Sequence, residues 1–509
     1  MIKNILQILE STAQSHAESI ALKDENKSLS FAQYVAEAKS IGSFLSQQAT
    51  DNYSRPIIVM VDRRIEPIVA FMGVLYSGNF YVPVDNRTPV ERLKNIVQVL
   101  NPLSVIGFSK NEQALFSSID TILPFYFFDA INNGEIDQDS LNLIRQKSVD
   151  VDPAYAIFTS GSTGVPKAVA ISHKAVLDLS SWLSETFDFD ETDVIGNQTP
   201  FYFDASVKDI YTSLRTGATL VVLPPKCFLF PKLLIDILAE NNVTTILWAT
   251  SAVVLIAKSG ILEEATLPTL KRIFFAGEAM YGKHLNMWKK HFPQCMYINL
   301  YGPTEVTVDS TFYIVNRDFN DNEVVPIGTN CDNKQTFLLS ENDEVLFGIV
   351  EGELAVRGTG VALGYYNNKE QTDKVFIQNP LHNHYRDILY KTGDFVRRNS
   401  LGEIEFIGRR DFQVKHMGNR IELGEIEAAV YGMGDVKHAA CVYDVINEKI
   451  VLYYTSDSEI EAKNFLKELA KSLPKYMFPN KFVHLDEMPL NANSKIDRKA
   501  IKAKINEIG

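Results

Sequence analysis

The chain has 509 residues, 46% of them hydrophobic, which is too long for one hydrophobic core and suits two to four packed units. A net charge of −13 with no long basic run argues against a nucleic-acid backbone as the main partner. Four scattered cysteines (Cys227, Cys295, Cys331, Cys441) with no Cys-x-x-Cys pair argue against a disulfide framework and a zinc site, so a reducing cytoplasm is the expected compartment.

The first segment, MIKNILQILESTAQSHAE, reads as an amphipathic helix, not as a signal peptide, and no apolar run is long enough to span a bilayer. RPIIVMVD is a β-branched strand followed by the helical pattern IEPIVAFMGVLYSG. LSVIGFS, ATLVVLP, VTTILWAT and LKRIFFAG read as further buried strands, with helices such as PKLLIDILAENN between them. This alternation predicts an α/β architecture with largely parallel sheets. Over residues 390–430 the texture changes to charged, alternating strands with glycine turns, then a helix with Glu422 and Glu425 at its start. KIVLYYTS and EIEAKNFLKELAKSL complete a small α+β unit. The expected boundary falls at Arg410–Asp411, dividing a core of residues 1–410 from a C-terminal lid of residues 411–509.

The stretch FTSGSTGVPKA follows the apolar run AYAIF. Glycines let backbone N–H groups converge on one concavity, the hydroxyls add donors, and Lys167 adds a cation, a surface suited to polyphosphate oxygens. It is not a Walker loop, because Lys167 follows Pro166 and no G-x-x-x-x-G-K-[ST] is present. On composition alone a polar surface turn explains it as well.

Further motifs follow in order: NLYGPTEVT (299–307), YKTGDFVRR (390–398), GRRDFQVKHMGNRIELGEIE (408–427) and PLNANSKIDRK (489–499). With GNFYVPVD, GELAVRGTGVALGYY and LPKYMFP, they run through nearly the whole chain. Together they resemble the adenylate-forming superfamily, and within it the amino-acid adenylation domains of nonribosomal peptide synthetases. The resemblance implies a large N-terminal domain of sheets packed with helices and a small mobile C-terminal domain. It implies a two-step reaction: a carboxylic acid and ATP give an acyl-AMP and pyrophosphate, and a thiol then takes the acyl group.

The attacking carboxylate is already an anion, so the first step needs no general base, and the chain offers no Ser/His/Asp or Cys/His constellation. The obstacle is an anion approaching a polyanion, which calls for cations and oriented donors. The resemblance assigns Thr159, Ser160, Gly161, Ser162, Thr163, Gly164 and Lys167 to the β- and γ-phosphates, and Glu305 to Mg²⁺ as a hard oxygen ligand. It places Thr304 near the α-phosphate, Tyr301 against adenine, and Asp394 and Arg409 at the ribose. Lys495 bridges the incoming carboxylate and the α-phosphate. The small domain then turns about a hinge at Asp411 and brings Lys415 into the thiol-transfer state. Two departures from the family pattern, Ser494 and Ala168 where glycines are usual, bear on loop geometry.

NQTPFYFDASVKDIY (197–211) matches the family's substrate segment, and Asp204 stands where amino-acid activators carry an aspartate for the substrate ammonium. The competing reading makes Asp204 an N-cap for the helix that follows. The other matched pocket positions are Ala205, Lys208, Trp248, Phe274, Ala276, Leu300, Val308 and Asp309. Bulky Trp248 and Phe274 favour a small substrate such as alanine or valine. Lys208 and Asp309 either contact a polar substrate such as glutamate or glutamine, or neutralise each other; Lys208 could also snorkel outward.

Only 14 residues follow Lys495, too few for a carrier domain, so the expected partner is a separate phosphopantetheinylated carrier protein, with no nucleic acid and no membrane. The layout also resembles D-alanine–carrier-protein ligases. An acyl- or aryl-CoA synthetase, and a binding protein that has lost turnover, are the remaining alternatives.

Overall fold

The computed structural model describes residues 2–48, 53–119, 122–160, 166–409, 413–445, 447–489, 496–498 and 500–501. The chain divides into two units: residues 1–86, 100–157 and 168–408 form the first, and residues 87–99, 158–167 and 409–509 the second.

In the first unit, runs of β-branched and aromatic residues become short buried strands and the amphipathic segments become helices, as the alternation predicts. RPIIVMVD yields the strand Pro56–Val61, and IEPIVAFMGVLYSG the helix Glu66–Tyr76, started by Pro67, whose missing N–H costs nothing in a first turn. The N-terminal helix Ile5–Ser15 opens where the Asn4 side chain accepts from the Gln7 N–H at 3.2 Å.

Two large sheets result. One has nine strands, in the spatial order Thr329–Asn330, Thr311–Ile314, Met296–Tyr301, Arg272–Ala276, Thr245–Ala249, Val194–Asn197, Thr219–Val222, Ile20–Lys23 and Ser28–Ser30. Its six central strands, from Met296–Tyr301 to Ile20–Lys23, run parallel. The other has seven strands, and among them Pro56–Val61 lies parallel to both Phe80–Asp85 and Ser104–Gly107. The helix Ser206–Thr216 is buried along Ser206–Leu214 and ends at Gly217, whose φ of +82° is cheap only for glycine. A third, antiparallel sheet pairs Lys334–Leu339 with Glu351–Gly358 and that strand with Ile388–Arg398.

The second unit contains the hairpin Gln413–His416/Asn419–Glu422, the helix Leu423–Tyr431, and a three-stranded sheet of Val436–Asp444, Lys449–Ser456 and Lys481–His484. Ile421, Ile426, Val430, Leu452 and Phe465 form its core. Among the described residues no helix is long and apolar enough to cross a membrane.

Candidate functional site

In parallel sheets, chain leaving the C-terminal ends of the strands is free to form ligand-binding loops. In the first unit, four neighbouring parallel strands (Val194–Asn197, Thr245–Ala249, Arg272–Ala276 and Met296–Tyr301) end beside one another. These strands and the residues that follow them carry the predicted substrate-pocket positions together with Tyr301, Thr304 and Glu305.

The loop after Met296–Tyr301 is held tightly. The Ser310 N–H donates to the Tyr301 carbonyl at 2.6 Å, closing it at its base. A Cβ on Gly302 would lie 2.3 Å from the Val308 carbonyl oxygen, so only glycine fits there. Thr307 and Val308, both β-branched, have φ of +57° and +68°, and the Asp309 N–H donates to the Thr307 carbonyl at 2.9 Å, a γ-turn around Val308. Such positions are strained by about 1–3 kcal/mol each and persist only where neighbours over-determine them. Here the buried Lys334 ammonium supplies that restraint, donating to the carbonyls of Val306 at 3.2 Å, Thr307 at 3.5 Å and Asp309.

Within this loop Glu305 is 1% exposed, and its carboxylate accepts from the Tyr365 hydroxyl at 2.9 Å. Thr304 precedes it in the short turn Thr304–Val306. Tyr301 donates its hydroxyl to the Asp394 carboxylate, and the Asp394 N–H donates to Thr392 Oγ1 at 3.0 Å. The predicted adenine and ribose residues are therefore in direct contact, and Tyr365 is a partner that sequence reasoning did not single out.

The remaining nucleotide residues lie in the second unit. Thr159 closes the strand Pro153–Thr159, Lys167 opens Lys167–Ser172, and Ser160 Oγ donates to the Arg420 carbonyl at 3.1 Å. Arg409 ends the strand Ile404–Arg409, and Lys415 sits on Gln413–His416 opposite Arg420. Gly161, Ser162, Thr163, Gly164, Asp411 and Lys495 lie outside the described residues.

At the other end of the first unit's site, the N-cap reading of Asp204 fails. The helix starts at Ser206, its cap position is Ala205, and no side-chain cap bond forms. Asp204 contributes only its carbonyl, to the Val207 N–H at 2.9 Å. Its half-buried carboxylate has no hydrogen bond or ion pair among the described residues.

Strand register separates the other pocket positions. Leu247, Phe274 and Ile298 are cross-strand partners, as are Ala249, Ala276 and Leu300. Trp248 is the partner of Phe275, which pairs with Asn299. Side chains alternate along a strand, so Trp248 faces away from Phe274, Ala276 and Leu300. It packs in the opposite core with Phe275 and donates Nε1–H to the Gly196 carbonyl at 2.7 Å. Trp248 is thus a correction: its side chain lies on the face opposite Phe274, Ala276 and Leu300, and the residue of that strand that shares their face is Leu247, itself buried in the core. Phe274 shares Leu247's face but is fully buried, its ring against Phe187 at 4.9 Å and Phe189 at 6.1 Å. The two bulky side chains read as shrinking the pocket are both engaged in core packing. Beyond Ala276, a Cβ on Gly277 would meet nothing within 4 Å, which marks open space at that strand end.

Lys208 and Asp309 form an ion pair at 3.5 Å and are 2% and 1% exposed, so Lys208 does not snorkel outward. Burial raises the Asp309 carboxyl above its usual range, with Lys208 and Lys334 opposing. Beside them, Asp209 accepts from Asn197 Nδ2 at 2.5 Å, and burial pushes its carboxyl up to about 7. The half-buried Arg63 guanidinium donates to the carbonyls of Asn197 at 2.6 Å, Thr199 at 2.7 Å and Leu223 at 3.2 Å, and holds the chain that leads to Asp204. Asp209 lies within the segment NQTPFYFDASVKDIY but was not singled out there, and Arg63 belongs to no motif read from the sequence.

Known proteins share the family and the fold of this chain. The family described as AMP-binding enzyme matches residues 9–366. Tyrocidine synthase 1 of Brevibacillus parabrevis is 31% identical over 502 residues, covering 98% of this chain; the chain spans 45% of that protein. Zwittermicin A synthase ZmaJ of Bacillus cereus is 34% identical over 457 residues, covering 87% of this chain and 84% of ZmaJ. The crystal structure of the Vibrio cholerae adenylation domain AlmE, in complex with glycyl-adenosine-5'-phosphate, superposes with a TM-score of 0.84 at 23% identity, over 100% of this chain and 98% of AlmE.

Proposed function

Since the chain belongs to the AMP-binding enzyme family, we propose that it is an amino-acid adenylating ligase that passes its product to the phosphopantetheine thiol of a separate carrier protein. The observation that carries the amino-acid reading is Asp204: a half-buried carboxylate that caps no helix and pairs with no described group, in the loop after a parallel strand. An α-ammonium supplies the missing partner through a charge-assisted hydrogen bond. A fatty or aryl acid offers nothing to it, which weighs against an acyl- or aryl-CoA synthetase.

In the first step a substrate carboxylate oxygen attacks the α-phosphorus of ATP, the bond to the bridging oxygen breaks, and pyrophosphate leaves. No proton moves, so the chain's task is to hold and neutralise. The Tyr301–Asp394 pair presents a ring face and a carboxylate for the nucleoside. Glu305 fits a magnesium site, because Mg²⁺ takes one or two carboxylates and completes its shell with phosphate oxygens and water. The Tyr365 hydroxyl orients that carboxylate. Magnesium, when bound, spreads the phosphate charge. Lys167 and the glycine–hydroxyl loop are assigned to the β- and γ-phosphates, and Lys495 to the α-phosphate and the incoming carboxylate. In the second step the thiol sulfur attacks the acyl carbon and AMP departs, with Lys415 serving that state after rotation about Asp411.

The test is ATP–pyrophosphate exchange by the purified chain across L-amino acids, D-alanine and simple carboxylic acids. Exchange that depends on an amino acid supports the reading, and a D-alanine optimum selects the D-alanine–carrier-protein ligase form. Exchange driven by carboxylic acids without an amino group overturns it. Asp204→Ala is expected to raise the KM for the amino acid by about 10²-fold or more, with the KM for ATP within a few-fold. Equal losses for both substrates would return Asp204 to a structural role.

A further inference from the structure

We infer that a buried water molecule is built into the first unit, held between the end of the strand Val194–Asn197 and the helix Ser206–Thr216 by oxygens of Asn197, Thr199, Asp209 and Thr212. The inference is independent of the adenylation proposed above, although the bridge spans the loop that carries Asp204.

Asn197, Asp209 and Thr212 are fully buried, and Thr199 is 5% exposed. Each keeps one side-chain oxygen without a hydrogen-bond partner among the described residues: Asn197 Oδ1, Thr199 Oγ1, Asp209 Oδ1 and Thr212 Oγ1. The four residues are neighbours. Asn197 Nδ2 donates to Asp209 Oδ2 at 2.5 Å and to the Thr199 carbonyl at 3.3 Å, and Thr212 stands one turn beyond Asp209 on the same helix face. Buried polar atoms are as a rule paired with protein or with ordered water, so orphans gathered in one neighbourhood mark a missing partner.

Thr212 stands out within its helix. Ser206, Ser213 and Thr216 donate their hydroxyls to the carbonyls of Phe203 at 2.7 Å, Ile210 at 3.0 Å and Thr212 at 2.9 Å, bonds that lead back to the preceding turn. Thr212 makes no such bond. Nor do the orphaned oxygens bond one another, as a threonine hydroxyl beside a carboxylate or amide oxygen would. They stand apart, and a bridging molecule joins them.

The chemistry of the oxygens selects water. Asn197 Oδ1 only accepts, each threonine hydroxyl has a proton to donate, and an ionised Asp209 Oδ1 accepts. Water has two protons and two lone pairs. It accepts from Thr199 and Thr212, donates to Asn197 and Asp209, and so completes all of them. An anion would face acceptor oxygens. Mg²⁺ and Ca²⁺ take six or more oxygen ligands, and any cation would be opposed by Arg63 and Lys208, which already act on Asp209. Arg63 holds the carbonyls of Asn197 and Thr199, and the water ties their side chains to the helix. The chain entering the Asp204 loop and the chain leaving it are thereby fastened to each other.

The experiment is a crystal structure of the full chain at a resolution that shows ordered water, with a second data set from crystals soaked in a thallium(I) salt. A solvent peak about 2.5–3.2 Å from most of these oxygens, without thallium anomalous signal, is the expected result. An empty gap, or the oxygens paired directly with protein, overturns the inference; a thallium peak there overturns it in favour of a monovalent cation. In solution, Thr199→Val, Thr212→Val and the double variant are unfolded in urea. Removing hydroxyls that have no partner would leave the midpoint unchanged or raise it. Removing hydroxyls that hold one water lowers each midpoint, and the double variant loses less than the two single losses together. Midpoints that do not fall, or losses that add, overturn the shared water. Should a variant fail to fold, the crystal structure decides by itself.

Discussion

Asp209 shows how far one buried carboxyl departs from its ordinary chemistry. Burial lifts it from 3.8 to about 7, opposed by the Asn197 amide, Lys208 and Arg63. Between about pH 4 and pH 7 the folded chain therefore holds a proton that the unfolded chain has lost. Stability falls as pH rises through that window and levels off above it. Urea unfolding of Asp209→Asn across pH 4–8 should show a flatter profile than wild type, because the amide keeps an oxygen for Asn197 and has nothing to titrate. An unchanged slope would place the titration elsewhere. Leu247 and Trp248 make a second residue-scale contrast. Trp248→Ala should destabilise the fold by about 3–5 kcal/mol and leave the order of amino-acid preference alone. Leu247→Ala should change that order at a smaller stability cost. Thermal unfolding and exchange kinetics on the two variants separate these effects. This distinction was not legible in TILWA, where every side chain is apolar and either parity suits a buried strand.

At the scale of elements, the decisive piece is the loop from Tyr301 to Ser310. The motif YGPTE was readable, and the resemblance supplied roles for Tyr301, Thr304 and Glu305. What the sequence did not reveal is that the loop turns back on itself, with Val308 in a γ-turn and Lys334, 25 residues beyond Asp309, gripping three of its carbonyls. Nothing local marks Lys334, because its partners are backbone atoms. Gly302→Ala should push the Val308 carbonyl away, with a cost of about 1–3 kcal/mol. Since Val308 and Asp309 ride on that turn, kcat/KM for the amino acid should drop more than stability alone explains. A variant with normal kinetics would show that the turn is not needed for the pocket. The helix Ser206–Thr216 carries the same lesson. DASVKD reads as a capped amphipathic start, yet buried surroundings take nearly all of its faces and leave the Asp204 carboxylate unused by the cap.

For the molecule as a whole, the proposed chemistry draws on both units: Asp204, Glu305 and Asp394 come from the first, and the span containing Lys167, Lys415 and Lys495 from the second. Lys495→Ala is expected to slow aminoacyl-adenylate formation by about 10²–10³-fold while ATP still binds, since one cation aimed at the transition state is lost and the other nucleotide contacts remain. Hydroxamate release and equilibrium ATP binding on the same preparation check both halves, and wild-type adenylation by the variant would refute the role.

By itself the sequence determined the α/β alternation, several strands and helices of the first unit, and the order of motifs that carries the family resemblance. Those are local properties, written in periodicity, turn residues and short spacings. Only the tertiary structure decided that Leu247 and not Trp248 shares a face with Phe274 and Ala276, that Asp204 caps nothing, and that Lys208 and Asp309, 101 residues apart, share a buried contact. Strand register and the pairing of distant charges depend on which faces of two sheets and a buried helix meet, and no stretch of chain a few residues long contains that information.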